Sequence, residues 1–161
     1  MASRRKGRIL AFQALYSWDA RCGPGTSTSA SLDAASLDVA SLDVASLDAE
    51  LLDFSWAAAP GKALDEEMKA FSRLLLTGTI ENIIAVDDLI QKHLRNWEVD
   101  RLNRVDLAIL RMSVYSLMFQ TEMPPSIVID EAIGISKEFG ADDSFLFVNG
   151  ILDNIRKTLA K

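Results

Sequence analysis

Residues 104–120 read RVDLAILRMSVYSLMFQ, and the architecture of the whole chain follows from them. Val105, Leu107, Ala108, Ile109, Leu110, Met112, Val114, Leu117, Met118 and Phe119 fall on nearly every side of a helical wheel. A helix that is apolar all round belongs at the centre of a bundle, enclosed by other helices. The flanking sequence supplies them. Pro124-Pro125 opens the next helix, because proline suits the first turn, where its missing N–H costs nothing. Val128, Ala132, Ile135 and Phe139 form its stripe, and Gly140 is expected to close it as a left-handed C′ glycine. Asp142-Asp143-Ser144 offers capping groups for a last helix, whose buried face is expected to be Val148, Ile151, Leu152, Ile155 and Leu159.

Towards the N-terminus, residues 64–95 carry a long helical pattern that includes Met68, Phe71, Leu75, Ile80, Ile83, Val86 and Ile90. Thr77-Gly78-Thr79 is expected to kink or split it. Residues 46–59 suggest a short helix ended by Pro60-Gly61. Residues 4–20 form a first helix, with Ser3 as its N-cap and Gly23-Pro24-Gly25 as its stop. No stretch reads as a strand. The fold class is therefore all-α, a helical bundle of about seven helices in antiparallel neighbours.

One segment obeys no helical period. Ser-Leu-Asp recurs every five residues, from Ser31, Ser36, Ser41 and Ser46. Each of Leu32, Leu37, Leu42 and Leu47 is turned by about 140° from the last around a helix, so they make no stripe. A pentapeptide solenoid of four such units is about one coil, too little to bury a core. Residues 26–49 are read as a low-complexity insert in a surface loop, with 26–45 dispensable to folding, since loop closure costs grow only logarithmically with length.

The 161 residues are 49% hydrophobic and carry a formal net charge of −6, which argues against nucleic-acid binding by bulk charge. The distribution says otherwise. Arg4, Arg5, Lys6 and Arg8 cluster at the start, and no acid precedes Asp19. From Asp33 to Glu67 acids dominate, with Lys62 the only base. Cys22 is the only cysteine, which excludes an internal disulfide and fits a reducing, cytoplasmic compartment. No apolar run approaches the roughly 18 residues of a membrane span. The basic start followed by Ile9-Leu10-Ala11-Phe12 imitates a signal peptide, yet Gln13, Tyr16, Ser17 and Trp18 interrupt the apolar run. Ile9, Phe12 and Tyr16 keep helical spacing, as a retained amphipathic helix requires.

Enzyme motifs are absent: there is no phosphate loop and no dinucleotide-binding glycine pattern, so no catalytic residue and no cofactor is expected. His93, the only histidine, lies beside Lys92 and Arg95 without candidate ligands at metal spacing, and reads as a solvated helix residue. The basic cluster is more informative. Cations in a first helical turn oppose the macrodipole by about 0.3–1 kcal/mol each and repel one another. Phosphate would relieve both costs. The competing reading is that arginine stems cover apolar surface, since Arg5, Arg8 and Phe12 share one face. Gly150, inside the last helix, costs about 1 kcal/mol against alanine, for close helix packing or for close approach of a ligand. Leu146 shares a face with Asn149, Gly150 and Asp153 and is expected to stand exposed. Phe145 and Phe147 cannot both enter the core beside Val148, so one is a candidate base-stacking surface. Asp106 and Arg111 interrupt the central apolar helix; Asp106 either favours the dipole or faces a partner.

Three segments together resemble the NusB family of bacterial transcription antitermination factors. The first is Arg4-Arg5-Lys6-Gly7-Arg8 with Gln13-Ala14-Leu15-Tyr16-Ser17-Trp18. The second runs from Asn96-Trp97 through Arg101-Leu102 to Val105-Asp106 and Ile109-Leu110-Arg111. The third comprises Ile129-Asp130-Glu131-Ala132, Lys137-Glu138-Phe139-Gly140, and Asp143-Ser144 with Phe147-Val148-Asn149-Gly150-Ile151-Leu152-Asp153. The resemblance implies two small subdomains, three helices over residues 1–98 and four over 99–161. It implies a non-catalytic protein that pairs with the ribosomal small-subunit protein NusE, binds boxA RNA, and acts on the transcription elongation complex. Arg4, Arg5, Lys6, Arg8, Gln13 and Tyr16 would face RNA, with Phe139, Asp143 and Phe147 on the same surface. Asp100 and Asp106 fall where the family turns carboxylates to the protein partner. Some relatives form homodimers. This chain departs from the family in the repeat insert, in Leu146 where a lysine is frequent, and in Pro125-Ser126 in place of an aromatic–basic pair. The alternative is the NusB-like accessory domain of ribosomal RNA methyltransferases, in which the chain would continue into a methyl-donor-binding domain, whereas this one ends at Lys161.

Overall fold

The computed structural model describes residues 2–22, 66–95 and 98–160. They divide into two compact units, Met1–Glu81 and Asn82–Lys161. The described residues contain six α-helices and a one-turn 3-10 helix, and no strand. The repeat insert, the suggested helix over 46–59 and the Gly23-Pro24-Gly25 stop lie outside the described residues.

In the first unit, helix α1 (Ala2–Cys22) packs along α2 (Glu66–Glu81). Helix α1 begins at Ala2, so Ser3 is inside it and is not its cap. Its buried side chains include Leu10, Ala11, Phe12, Ala14, Leu15 and Trp18, the pattern of a helix built into a core. The face that α2 buries runs through Met68, Ser72, Leu75, Leu76, Thr79 and Ile80 at i, i+4, i+7 spacing. Two β-branched or hydroxyl residues on α2 turn their polar atoms back on the helix: Thr77 Oγ1 donates to the Arg73 carbonyl at 2.7 Å and Thr79 Oγ1 to the Leu75 carbonyl at 2.6 Å. These back-bonds accompany an unbroken helix at Thr77-Gly78-Thr79, where a split was expected. The interruption comes instead at Asn82, a turn with φ −112° and ψ 20° that separates α2 from α3 (Ile83–Lys92).

The second unit contains α3, the 3-10 turn Val99–Arg101, α4 (Arg104–Phe119), α5 (Pro125–Phe139) and α6 (Ser144–Leu159). It starts at Asn82, where α3 packs on α4 and α6. Helix α4 is the centre: every residue from Asp106 to Ser116 is buried, and α3, α5 and α6 all pack against it. The Asn103 side chain caps it, accepting from the Val105 N–H at 2.8 Å. Pro125 stands at the start of α5, as expected.

Two helix ends differ from expectation. Gly140 caps α5 in an extended conformation, φ −91° and ψ −177°, not a left-handed one. It is glycine for space: a Cβ there would lie 2.8 Å from the Ser136 carbonyl oxygen and 2.8 Å from Ser144 Cβ. At the start of α6, Asp143 makes no capping bond, because its backbone is helical (φ −100°, ψ 0°) where a side-chain cap needs extended geometry. Ser144 Oγ instead accepts from the Ala141 N–H at 3.0 Å. Leu159, expected in the core, is exposed at the last turn.

The buried Arg111 is matched by Asp87 of α3. Its Nε and Nη2 donate to the two carboxylate oxygens at 2.9 Å each, a bidentate pair with only 3% of the arginine side chain exposed. Removing the carboxylate takes the bidentate charge partner away from a buried guanidinium. Asp87→Ala should therefore destabilise the protein by about 3 kcal/mol in thermal or urea melts; a loss under about 0.5 kcal/mol, the scale of an exposed pair, would contradict the pairing.

Candidate nucleic-acid interface

The basic cluster occupies the first turns of α1, and the unit it belongs to explains its geometry. Gly7 sits at a close approach of α1 to α2: a Cβ on it would lie 2.8 Å from Phe71 Cδ2 and 3.3 Å from Ser72 Oγ. The Ser72 hydroxyl lies 2.8 Å from the Gly7 carbonyl oxygen and 2.9 Å from that of Met68, so its proton is shared between them. Flanking Gly7, the guanidinium carbons of Arg4 and Arg8 lie 4.5 Å and 5.4 Å from the centre of the Phe71 ring. Guanidinium over an aromatic face is attracted by the ring quadrupole.

The four cations thus part company. Arg4 and Lys6 are exposed, Arg5 is half-buried, and Arg8 is only 5% exposed. Arg8 continues the apolar face of α1 and covers Phe71, as the stem-packing reading required for that residue. Further along the helix, Gln13 is half-buried and Tyr16 is exposed. Sequence reading missed Phe71 and Ser72 as part of this arrangement; an unexplained glycine one turn after Arg4 was the available signal.

In the second unit, Phe139, Asp143 and Phe147 lie around the junction of α5 and α6. Phe139 is half-buried and Asp143 is exposed, its carboxylate unspent on capping. Neither Phe145 nor Phe147 enters the core; both are half-buried beside the fully buried Val148. The Lys137 ammonium lies 4.9 Å from the centre of the Phe145 ring, which leaves Phe147 as the better stacking surface. Leu146 is exposed, as are Asn149 and Gly150. A Cβ on Gly150 would meet nothing within 4 Å, so close helix packing does not account for this glycine. Below it, Asp153 is held under the usual carboxylate range by the Arg156 guanidinium and then by Lys157.

Asp106 is 8% exposed and its Oδ1 has no hydrogen-bond partner. A dipole-favouring surface acid would be solvated, whereas Asp106 is buried, and among the described residues it makes no salt bridge. Asp100 falls in the 3-10 turn, and its side chain lies outside the described residues. His93 is not simply solvated: its Nδ1 lies 2.9 Å from the Leu89 carbonyl oxygen and its Nε2 3.0 Å from Thr158 Oγ1. Among the described residues there is no group of three metal-ligating side chains, and no helix is long and apolar enough to cross a membrane.

Comparison with known proteins gives a consistent answer. The model of the NusB family matches residues 5–157. The transcription antitermination protein NusB of Treponema denticola is 47% identical over 153 residues, covering 95% of each chain. The solved structure of T. maritima NusB is 32% identical, with a TM-score of 0.71, over 96% of this chain and 90% of that one. A chain in the structure of antitermination factors NusB and NusE in complex with dsRNA shares the fold, at 24% identity and a TM-score of 0.73, over 98% of each chain.

The glycine that admits the Phe71 ring is testable. Gly7→Ala improves helix propensity by about 1 kcal/mol but forces a methyl into the ring, an overpacking cost of about 1–3 kcal/mol. The expected net result is a loss of about 1 kcal/mol in a thermal melt, and a more stable variant would show that α1 and α2 are not in close contact there.

Proposed function

The chain belongs to the NusB family, and from this we propose that it is a transcription antitermination factor that binds boxA RNA together with the ribosomal protein NusE, in the cytoplasm and without catalysis of its own. One observation carries the reading to the residues: the exposed cations of α1, set on a helix end whose dipole opposes them, are the part of the family pattern that stability alone does not explain. Arg4, Arg5 and Lys6 supply phosphate contacts, which position the RNA. Gln13 and Tyr16 extend the same helix towards the bases, and Phe147 supplies a stacking face, with Phe139 as a second ring and Asp143 as a hydrogen-bond acceptor. Arg8, being buried, contributes charge and packing more than a direct contact.

Asp106 supports the partner half of the reading. A buried carboxylate oxygen without a partner among the described residues is costly, and a donor from a second protein would satisfy it once Asp106, now 8% exposed, turned towards the surface. Asp100 is assigned to the same surface on the resemblance alone.

Two measurements test this. Binding of a boxA oligonucleotide should weaken with salt, with a log–log slope of about −2, since three phosphate contacts each contribute roughly 0.7 on single strands. An affinity independent of salt would overturn the phosphate contacts. Asp106→Asn should cost NusE affinity by about 1–3 kcal/mol in a calorimetric titration, with RNA binding in the absence of NusE unchanged. Because no internal ion pair is broken, the melting temperature of the free variant should stay within a few degrees; a loss of several kcal/mol, as from a buried pair, would make Asp106 structural.

A further inference from the structure

Arg4 and Arg8 share one aromatic ring, that of Phe71. Arg4 and Arg8 are one helical turn apart, carry the same charge, and stand at the end of α1 where the dipole is already positive. Left to themselves, two such side chains would turn away from each other into water. Here both guanidinium carbons lie within 5.4 Å of one ring centre. Three features of the sequence bring the ring there. Gly7 has no Cβ, which would otherwise fall 2.8 Å from Phe71 Cδ2. The hydroxyl of the neighbouring Ser72 reaches the Gly7 carbonyl at 2.8 Å, fixing the register of α2 against α1. The first turn of α1 itself contains no acid.

We propose that Phe71 is a positioning residue for nucleic-acid binding: its ring holds Arg4 in place for an RNA phosphate and keeps Arg8 folded beneath it. The inference rests on the RNA-binding reading above. A guanidinium stacked on a ring uses its face and keeps its in-plane N–H donors available. An arginine so held loses less freedom when it meets phosphate than one that sweeps through water. The ring itself need not touch RNA. Phe71 acts through Arg4, so its removal lowers affinity while the number of charges near the RNA stays the same.

The test is a double-mutant cycle on the full chain, using Arg4→Ala, Phe71→Leu and the pair, with Phe71→Tyr as the conservative variant. The readouts are boxA affinity, its salt dependence and the melting temperature. Phe71→Leu should weaken RNA binding about fivefold, the size of one exposed cation–π contact. The salt slope should be nearly unchanged, because no charge is lost. Phe71→Tyr should restore affinity, and Arg4→Ala should cost less in the Phe71→Leu background than in the parent. A purely structural ring would give additive effects that track the melting temperature, and that result overturns the proposal. In the free protein, the Arg4 Nε–H resonance should be shifted by the ring and return to its ordinary position in Phe71→Leu; no shift in the parent also overturns it. Failure of the unmodified protein to bind boxA RNA would instead strike at the RNA-binding reading and take this inference with it, whereas normal binding with an unaffected Phe71→Leu strikes at the inference alone.

Discussion

Helix α4 is enclosed on all sides, and the second unit is arranged around what that enclosure demands. Burying the run from Asp106 to Ser116 removes its apolar side chains from water, at roughly 25 cal/mol per Å² of apolar surface. It also removes the polar ones, which must then find partners within the protein or outside it. Arg111 finds Asp87, and the bidentate pair ties α4 to α3 at a fixed register. Among the described residues Asp106 finds nothing for its Oδ1. The same enclosure therefore produces one internal ion pair and one unspent carboxylate oxygen. That difference sets Arg111, which ties α4 to α3, apart from Asp106, whose Oδ1 stays unpaired among the described residues.

The central helix, the proline start of α5 and the buried face of α6 were legible in the sequence because each rests on local periodicity or on a local backbone restriction. Val128, Ala132 and Ile135, or Val148, Ile151, Leu152 and Ile155, need no knowledge of their neighbours to be placed on one face. The helix ends were less legible because they depend on conformation. Gly140 was the right residue for the wrong reason: the serine groups of α5 and α6 exclude a Cβ, and the backbone is extended. Asp143 has the chemistry of a cap and the backbone of a helical residue, and nothing in its sequence neighbourhood announces which prevails. The break at Asn82 escaped notice for a similar reason, since the glycine between Thr77 and Thr79 looked like the weaker point and is buried inside an intact helix.

The candidate site was legible in its charges and not in its neighbours. The basic run could be counted from residue numbers, and Leu146 could be placed outside the core from its spacing alone. What could not be read was that residues 65 apart, Gly7 and Ser72, are hydrogen-bonded, and that Phe71 next to Ser72 lies under two of the four cations. Long-range contacts leave only indirect traces in one sequence. Here the trace was a glycine inside a helix, a residue that costs about 1 kcal/mol unless something uses its missing side chain. Gly7 and Gly140 are both accounted for by atoms sitting where a Cβ would go. Gly150 is open to its surroundings, so the cost it carries is not offset by packing among the described residues.

A net charge of −6 and a nucleic-acid surface are compatible because charge acts over a limited distance. At physiological ionic strength exposed charges are screened beyond about 8 Å, which is about five residues along a helix axis at 1.5 Å each. Arg4 and Lys6 are exposed within that span of one another, whereas the first acid of α1, Asp19, lies well beyond it along the helix. Along α1 itself, a phosphate near its start therefore meets the local cations and the dipole of the helix, both positive. The same arithmetic limits the cluster, since cations this close repel each other through the same short range. A ring that accepts two guanidinium groups without cancelling their charge relieves the crowding in a way an acid could not. An acid at the position of Phe71 would pair with Arg4 or Arg8 and lower the potential that attracts phosphate, whereas the ring holds the side chains and leaves the potential standing.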